Sequence, residues 1–260
     1  MKDYSPDDIW EKREMNKMGL DTFLMRKENV FDSAVDRLIE SLKTQLAKAR
    51  SEYEKLMRLE SKNRSEFRNL EEQENLSEDN LQGSMMNYFQ EIIYLEDELF
   101  VLFEMKIIHA FKFLEITIKQ LLSAAYKDNS IKQKFRWESI GLFLNSKNIL
   151  IKDINDYENI EQLRNVNNFL KHSEKNIDQR IKQIQEFKNI DTINYIYLDS
   201  FYKRINKSPG IFLNSLVHYV FQDLYNFPHE RIFELAKSYA LRMDKKVAVE
   251  LTDELLRFYK

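Results

Sequence analysis

Apolar residues recur along much of this chain at alternating spacings of four and three, the period that keeps one stripe on one side of an α-helix. The clearest run is Val35, Ile39, Leu42, Leu46, Ala49, Tyr53 and Leu56. A seam of this kind faces a partner helix, so it predicts a long, coiled-coil-like amino-terminal helix. Glu60 and Asn63 weaken the seam, and Phe67 and Leu70 resume it before the polar run Glu71-Glu72-Gln73-Glu74-Asn75. The partner is either a later helix of the same chain or a second chain. Ahead of the seam, Ser5-Pro6-Asp7-Asp8 offers a cap, a first-turn proline and two carboxylates suited to a helix start. That helix is expected to end at Gly19.

Polar residues from Ser77 to Ser84, with Gly83 among them, predict a turn and a boundary. From Met85 to Tyr126 apolar residues lie on almost every face, which predicts a central helix with neighbours on several sides. Eight charges interrupt its most apolar part, Ile92 to Tyr126, too many for a membrane span. A short helix from Phe135 to Leu144 is expected with Trp137 as its core anchor, and a loop from Asn145 to Asn159. A helix from Ile160 to about Lys188 follows. Ile193 to Leu198 suits either an isolated strand or more helix. Ser208-Pro209-Gly210 opens a helix through Tyr225, and helices from His229 to Met243 and from Val247 to Tyr259 close the chain. The fold class is therefore all-α: an amino-terminal coiled-coil-like segment (1–82), a helical bundle (83–188) and a small carboxyl-terminal helical region (189–260).

Composition agrees with this and removes several chemistries. Four glycines and three prolines are too few for a turn-rich β fold. Lys+Arg number 40 against 43 Asp+Glu, so no bulk field draws in nucleic acid, and no basic stripe marks a strong DNA binder. Without cysteine there are no disulfides, thiolate zinc sites or thiol nucleophiles. The amino terminus lacks the features of a secretory signal, and a cytoplasmic location is expected by elimination. There is no glycine-rich phosphate loop, no Gly-x-Ser-x-Gly elbow and no His-Glu-x-x-His pair. His109, His172, His218 and His229 have no chelating spacing, so neither metal nor cofactor is expected. His109 and His218, set between apolar neighbours, are expected to be hydrogen-bonded interior residues.

One stretch concentrates polar chemistry: Leu163-Arg164-Asn165-Val166-Asn167-Asn168-Phe169-Leu170-Lys171-His172-Ser173. At about 100° per residue, Arg164, Asn168, Lys171 and His172 fall near 0°, 40°, 340° and 80°, one arc of a helix. Leu163, Val166, Phe169 and Leu170 take much of the other side. A guanidinium that grips phosphate in two places and an imidazole that exchanges protons near neutrality suit a phosphodiester. The surrounding Lys171, Lys175, Arg180 and Lys182 exceed Glu174 and Asp178 only modestly.

The stretch resembles the signature of HEPN domains, helical modules common in prokaryotic toxin and phage-defence systems. Many of these are metal-independent ribonucleases. Arg164-Asn165 matches the start of the motif and His172 its end, with seven residues between Arg164 and His172 where the family usually has four to six. The resemblance covers about Ser84 to Lys188. It implies that Arg164 stabilises the phosphorane, that His172 acts on the 2′-hydroxyl or leaving oxygen, and that Asn165 or Asn168 orients them, with Lys171 on the substrate. It also implies pairing of two such domains, hence a homodimer or a related protein partner. The alternative expectation is a non-catalytic helical scaffold or regulatory subunit acting through coiled-coil and protein contacts.

Overall fold

The computed structural model describes residues 6–25, 30–67, 75–133, 136–172, 177 and 179–259. Ser5, Leu70, Phe135 and Ser173, as well as the side chain of Phe67, lie outside the described residues. The fold is all-α, with no strand among the described residues. Helix α1 spans Pro6–Asp21, α2 Val30–Phe67, α3 Asn75–Tyr126, α4 Trp137–Asn145 and α5 Tyr157–His172. The short α6, Gln179–Lys182, is followed by α7 Tyr195–Ile205, α8 Ser208–Tyr225, α9 His229–Ala240 and α10 Lys245–Arg257. No helix among the described residues is long and apolar enough to cross a membrane.

Two compact units are assembled from segments far apart in sequence. One comprises residues 29–113 and 158–209, the other 1–28, 114–157 and 210–260. The single helix α3 supplies its first part to one unit and its last part to the other.

In the unit containing residues 29–113 and 158–209, α2 and the first part of α3 run antiparallel. Lys106 pairs with Asp36, Arg50 with Glu96, and the Tyr53 and Phe89 rings lie 6.2 Å apart. The seam is covered from within the chain: Val35, Ile39, Leu46 and Ala49 are buried, as are Leu95, Leu99, Phe103 and Ile107 of α3. α5 adds Ile160, Leu163, Val166 and Leu170 to this core, and α7 adds Leu198, Phe201 and Ile205. In the other unit, Leu114, Ile118, Leu121 and Leu122 of α3 are buried, together with Ile140 and Leu144 of α4 and Phe212, Leu216 and Val220 of α8.

Several local expectations are corrected. Gly19 does not end α1, and Gly83 and Ser84 do not interrupt α3. A single glycine costs a helix about 1 kcal/mol, which a long hydrogen-bonded ladder absorbs. Trp137 is only half-buried, while Ile140 and Leu144 are the residues of α4 that reach the core. The helix expected to run to Lys188 ends at His172. Beyond it Ile181, Ile184 and Phe187 are buried at spacings of three, the period of tighter 3₁₀ turns such as that at Gln185–Phe187. Ile193 to Leu198 leads into helix: the Asn194 side chain accepts hydrogen bonds from the backbone N–H of Ile196 and Tyr197 at 3.0 and 3.3 Å, capping α7.

Candidate functional site

The start of α5 is set by a turn. Asp156 takes a left-handed φ of 63°, which Asp tolerates better than most residues, and the Tyr157 N–H donates to the Ile154 carbonyl at 3.1 Å. From there α5 sorts its residues by angle. Ile160, Leu163, Val166 and Leu170 are buried, whereas Asn168, Lys171 and His172 are exposed, and Arg164, Asn165 and Phe169 are half-buried.

A guanidinium from α7 fixes the roll of α5. Arg204 donates from Nη1 to Asn159 Oδ1 at 2.9 Å and from Nη2 to Gln162 Oε1 at 2.8 Å. It also forks onto Glu186, Nε to Oε1 at 2.7 Å and Nη2 to Oε2 at 2.9 Å. Burial works against ionisation of Glu186, but the hydrogen bonds from Arg204 and Gln185 prevail and hold its carboxyl below the ordinary carboxylate range. Asn159 and Gln162 sit roughly 140° and 160° round the helix from Arg164. The clamp thus grips α5 on the side away from Arg164.

Within that arc the geometry adds two residues the sequence pattern did not single out. Glu161 Oε2 accepts from Arg164 Nη2 at 2.9 Å, an i,i+3 pair with both side chains about a quarter exposed. An anion approaching Arg164 therefore meets a guanidinium already sharing its charge with a carboxylate. The i,i+3 spacing was the available signal for Glu161. Asn167 is fully buried, and its Nδ2 donates to Asn168 Oδ1 at 3.1 Å. At about 300° it lies between Leu163 and Ile160 on the helix wheel, so its angle placed it in the core even though its chemistry suggested the surface. Its Oδ1 is buried with no hydrogen-bond partner among the described residues. Arg164 and His172 stand eight residues apart, roughly 12 Å along the axis. An extended polyanion spans that distance more readily than one small anion does.

A second polar constellation links α2, α3 and α7. The Tyr202 hydroxyl donates to Asp32 Oδ2 at 2.5 Å, Lys106 is bonded to Asp36, and the Lys106 ammonium stands 4.4 Å from the centre of the Tyr202 ring. Burial first, then the hydrogen bond and charge of Asp32, push the Tyr202 phenol far above its ordinary pKa. Such a tyrosine stays protonated at neutral pH and serves neither as base nor as nucleophile. The cluster is a lock between helices.

His109 and His218 differ from expectation. His109 makes a stacked contact with Phe31, centroids 4.1 Å apart and planes at 18°, and its buried Nδ1 has no hydrogen bond among the described residues. His218 is exposed. At about 100° per residue it points some 160–200° away from the buried Leu216 and Val220, so its apolar neighbours in sequence were not neighbours in space. No group of three His, Asp or Glu side chains among the described residues is arranged to hold a metal ion. No protein-family model, no curated protein and no solved structure matches this chain.

Proposed function

We propose that this chain is a HEPN-like effector that binds or cleaves RNA without a metal ion, in the cytoplasm and in the setting of a toxin or anti-phage system. The observation that carries this is the division of α5. One side is buried through Ile160, Leu163, Val166 and Leu170 and clamped by Arg204, and the other carries the exposed Lys171 and His172 and the half-buried Arg164. In this reading Arg164 contacts a phosphate beside Glu161 and stabilises its developing charge. Lys171 contacts a neighbouring phosphate, Asn165 and Asn168 orient the ribose-phosphate, and the His172 that moves the proton of the 2′-hydroxyl or leaving oxygen at that reacting phosphate comes from a second, paired copy, as the pairing of such domains implies. Incubation with cellular RNA in chelator tests it, with Arg164→Ala and His172→Ala alongside. Cleavage lost in both variants, or RNA binding weakened in both, is the expected result. RNA patterns and binding identical among the three proteins end the proposal.

A helical scaffold or regulatory subunit is the second reading. It is favoured by an apolar groove of ≈ 600 Å³ between α2 and α3, lined by Leu38, Leu42, Tyr94, Val101 and Leu102 among others.

A further inference from the structure

The groove between α2 and α3 carries a charge pattern as well as an apolar floor. Over residues 85–111, α3 holds five carboxylates, Glu91, Glu96, Asp97, Glu98 and Glu104, and a single cation, Lys106. Lys106 is buried against Asp36, and Glu96 is taken by Arg50. The other four carboxylates have no ion pair among the described residues. In a chain with 40 Lys+Arg against 43 Asp+Glu, this is a local excess of negative charge. Burial pushes the Glu104 carboxyl above its ordinary value, and no cation opposes it.

These carboxylates frame an apolar stripe. At about 100° per residue, Tyr94, Val101 and Met105 fall within about 40° of arc, with Glu91 and Glu98 beside them on one side and Asp97 and Glu104 on the other. Tyr94 is 69% exposed, Val101 48% and Met105 46%. Across the groove Leu38 is exposed and Leu42 half-buried, and the polar residues there, Ser41 and Gln45, are uncharged. Among the described residues, Asp97 and Glu98 are the only charged side chains lining the groove. The basic residues of α2 do not neutralise them. Arg37 and Lys48 lie some 80–100° round the helix from Leu38, on the side away from Leu42, and Lys43 is paired with Asp199.

Two antiparallel helices leave a groove that a third helix fills with its side-chain ridges. Tyr94 to Met105 is about 16 Å of helix, three turns. The walls set the charge of the occupant. Carboxylates on both sides of the stripe repel RNA and an anionic membrane, and a second copy seated there would bring the same carboxylates face to face. We propose that this groove receives an amphipathic helix of a partner protein whose apolar stripe is flanked by lysine or arginine. Its apolar side chains seat on Leu38, Tyr94 and Val101, and its cations reach Asp97 and Glu98. Such docking rests on the scaffold reading, and any action of α5 on RNA is separate from it.

Fluorescence anisotropy with the full chain tests it. The probe is a dye-labelled synthetic helix with a leucine stripe flanked by lysines, and its counterpart carries glutamates in their place. The lysine helix is expected to bind at least about tenfold tighter than the glutamate helix. Asp97→Lys with Glu98→Lys, both at exposed positions, is expected to reverse that order while circular dichroism stays unchanged. Tyr94→Ser is expected to weaken the lysine helix by about tenfold, and it keeps the question decidable if the charge reversal misfolds. Equal affinity for the two helices, or lysine-helix binding untouched by either variant, overturns the proposal. A preference for the glutamate helix that Tyr94→Ser abolishes overturns the charge assignment and leaves the scaffold reading standing, whereas binding of neither helix removes both.

Discussion

α2 and the α9–α10 pair carry the same kind of signal and meet opposite fates. Both are amphipathic at helical spacing. Val35, Ile39, Leu46 and Ala49 of α2 disappear against α3, while no residue of α9 or α10 is buried. Periodicity therefore reports that a face requires a partner, and says nothing of whether the same chain supplies one. The difference lies in composition next door. α3 is apolar on nearly every side and can cover a neighbour, whereas α9 and α10 each present a stripe too wide for the other to fill.

The largest effect that separates the two regions is core truncation. Leu99→Ala, at the covered seam, is expected to cost about 2–5 kcal/mol. Leu255→Ala, at an exposed position of α10, is expected to change stability by less than about 0.5 kcal/mol. Urea denaturation of both variants checks this, and equal losses would erase the contrast. Next comes the clamp on α5. Arg204→Ala leaves Glu186, Asn159 and Gln162 without their donor and is expected to cost about 1–3 kcal/mol. Arg204→Lys recovers only part, because an ammonium cannot reproduce the fork.

A pH titration sharpens the picture from another side. The phenols of Tyr202 and Tyr126 are both raised, by burial first and then by their hydrogen bonds to Asp32 and Asp223. In the unfolded chain they ionise near pH 10. Above that pH the unfolded state sheds protons that the folded state retains, so stability present at neutrality declines as pH rises. Glu186 acts in the opposite sense: its lowered carboxyl contributes above the ordinary glutamate value near 4.3 and loses that contribution as pH falls. Tyr202→Phe is expected to blunt the alkaline limb of a denaturation-against-pH curve, and an unchanged limb would refute its assignment. The smallest effect on stability is expected at the exposed end of α5. His172→Ala and Lys171→Ala should fall within about 0.5 kcal/mol of wild type by thermal denaturation, so any change in RNA handling reads as function.

Much of this architecture was legible as spacing. The seam from Val35 to Leu56, the proline-led start of α8 and the buried side of α5 all follow from residues recurring near 3.6. His218 was read from its apolar sequence neighbours, whereas its angle on the helix, opposite Leu216 and Val220, decides its exposure. The polar arc of α5 was visible from Arg164 to His172. Glu161, which shares the charge of Arg164, and Arg204, which holds the helix from behind, were not. The first lay one turn upstream of Arg164 and the second 40 residues beyond it.

The order of apolar and polar residues by itself determined that the chain is helical, where most helices run and which side of each requires cover. Only the tertiary structure decided which segments of the chain cover them. Helix formation is governed by interactions within four residues, but the choice of partner depends on contacts between segments a hundred or more residues apart. Lys43 with Asp199 and Tyr202 with Asp32 are such pairs, and no local rule encodes them.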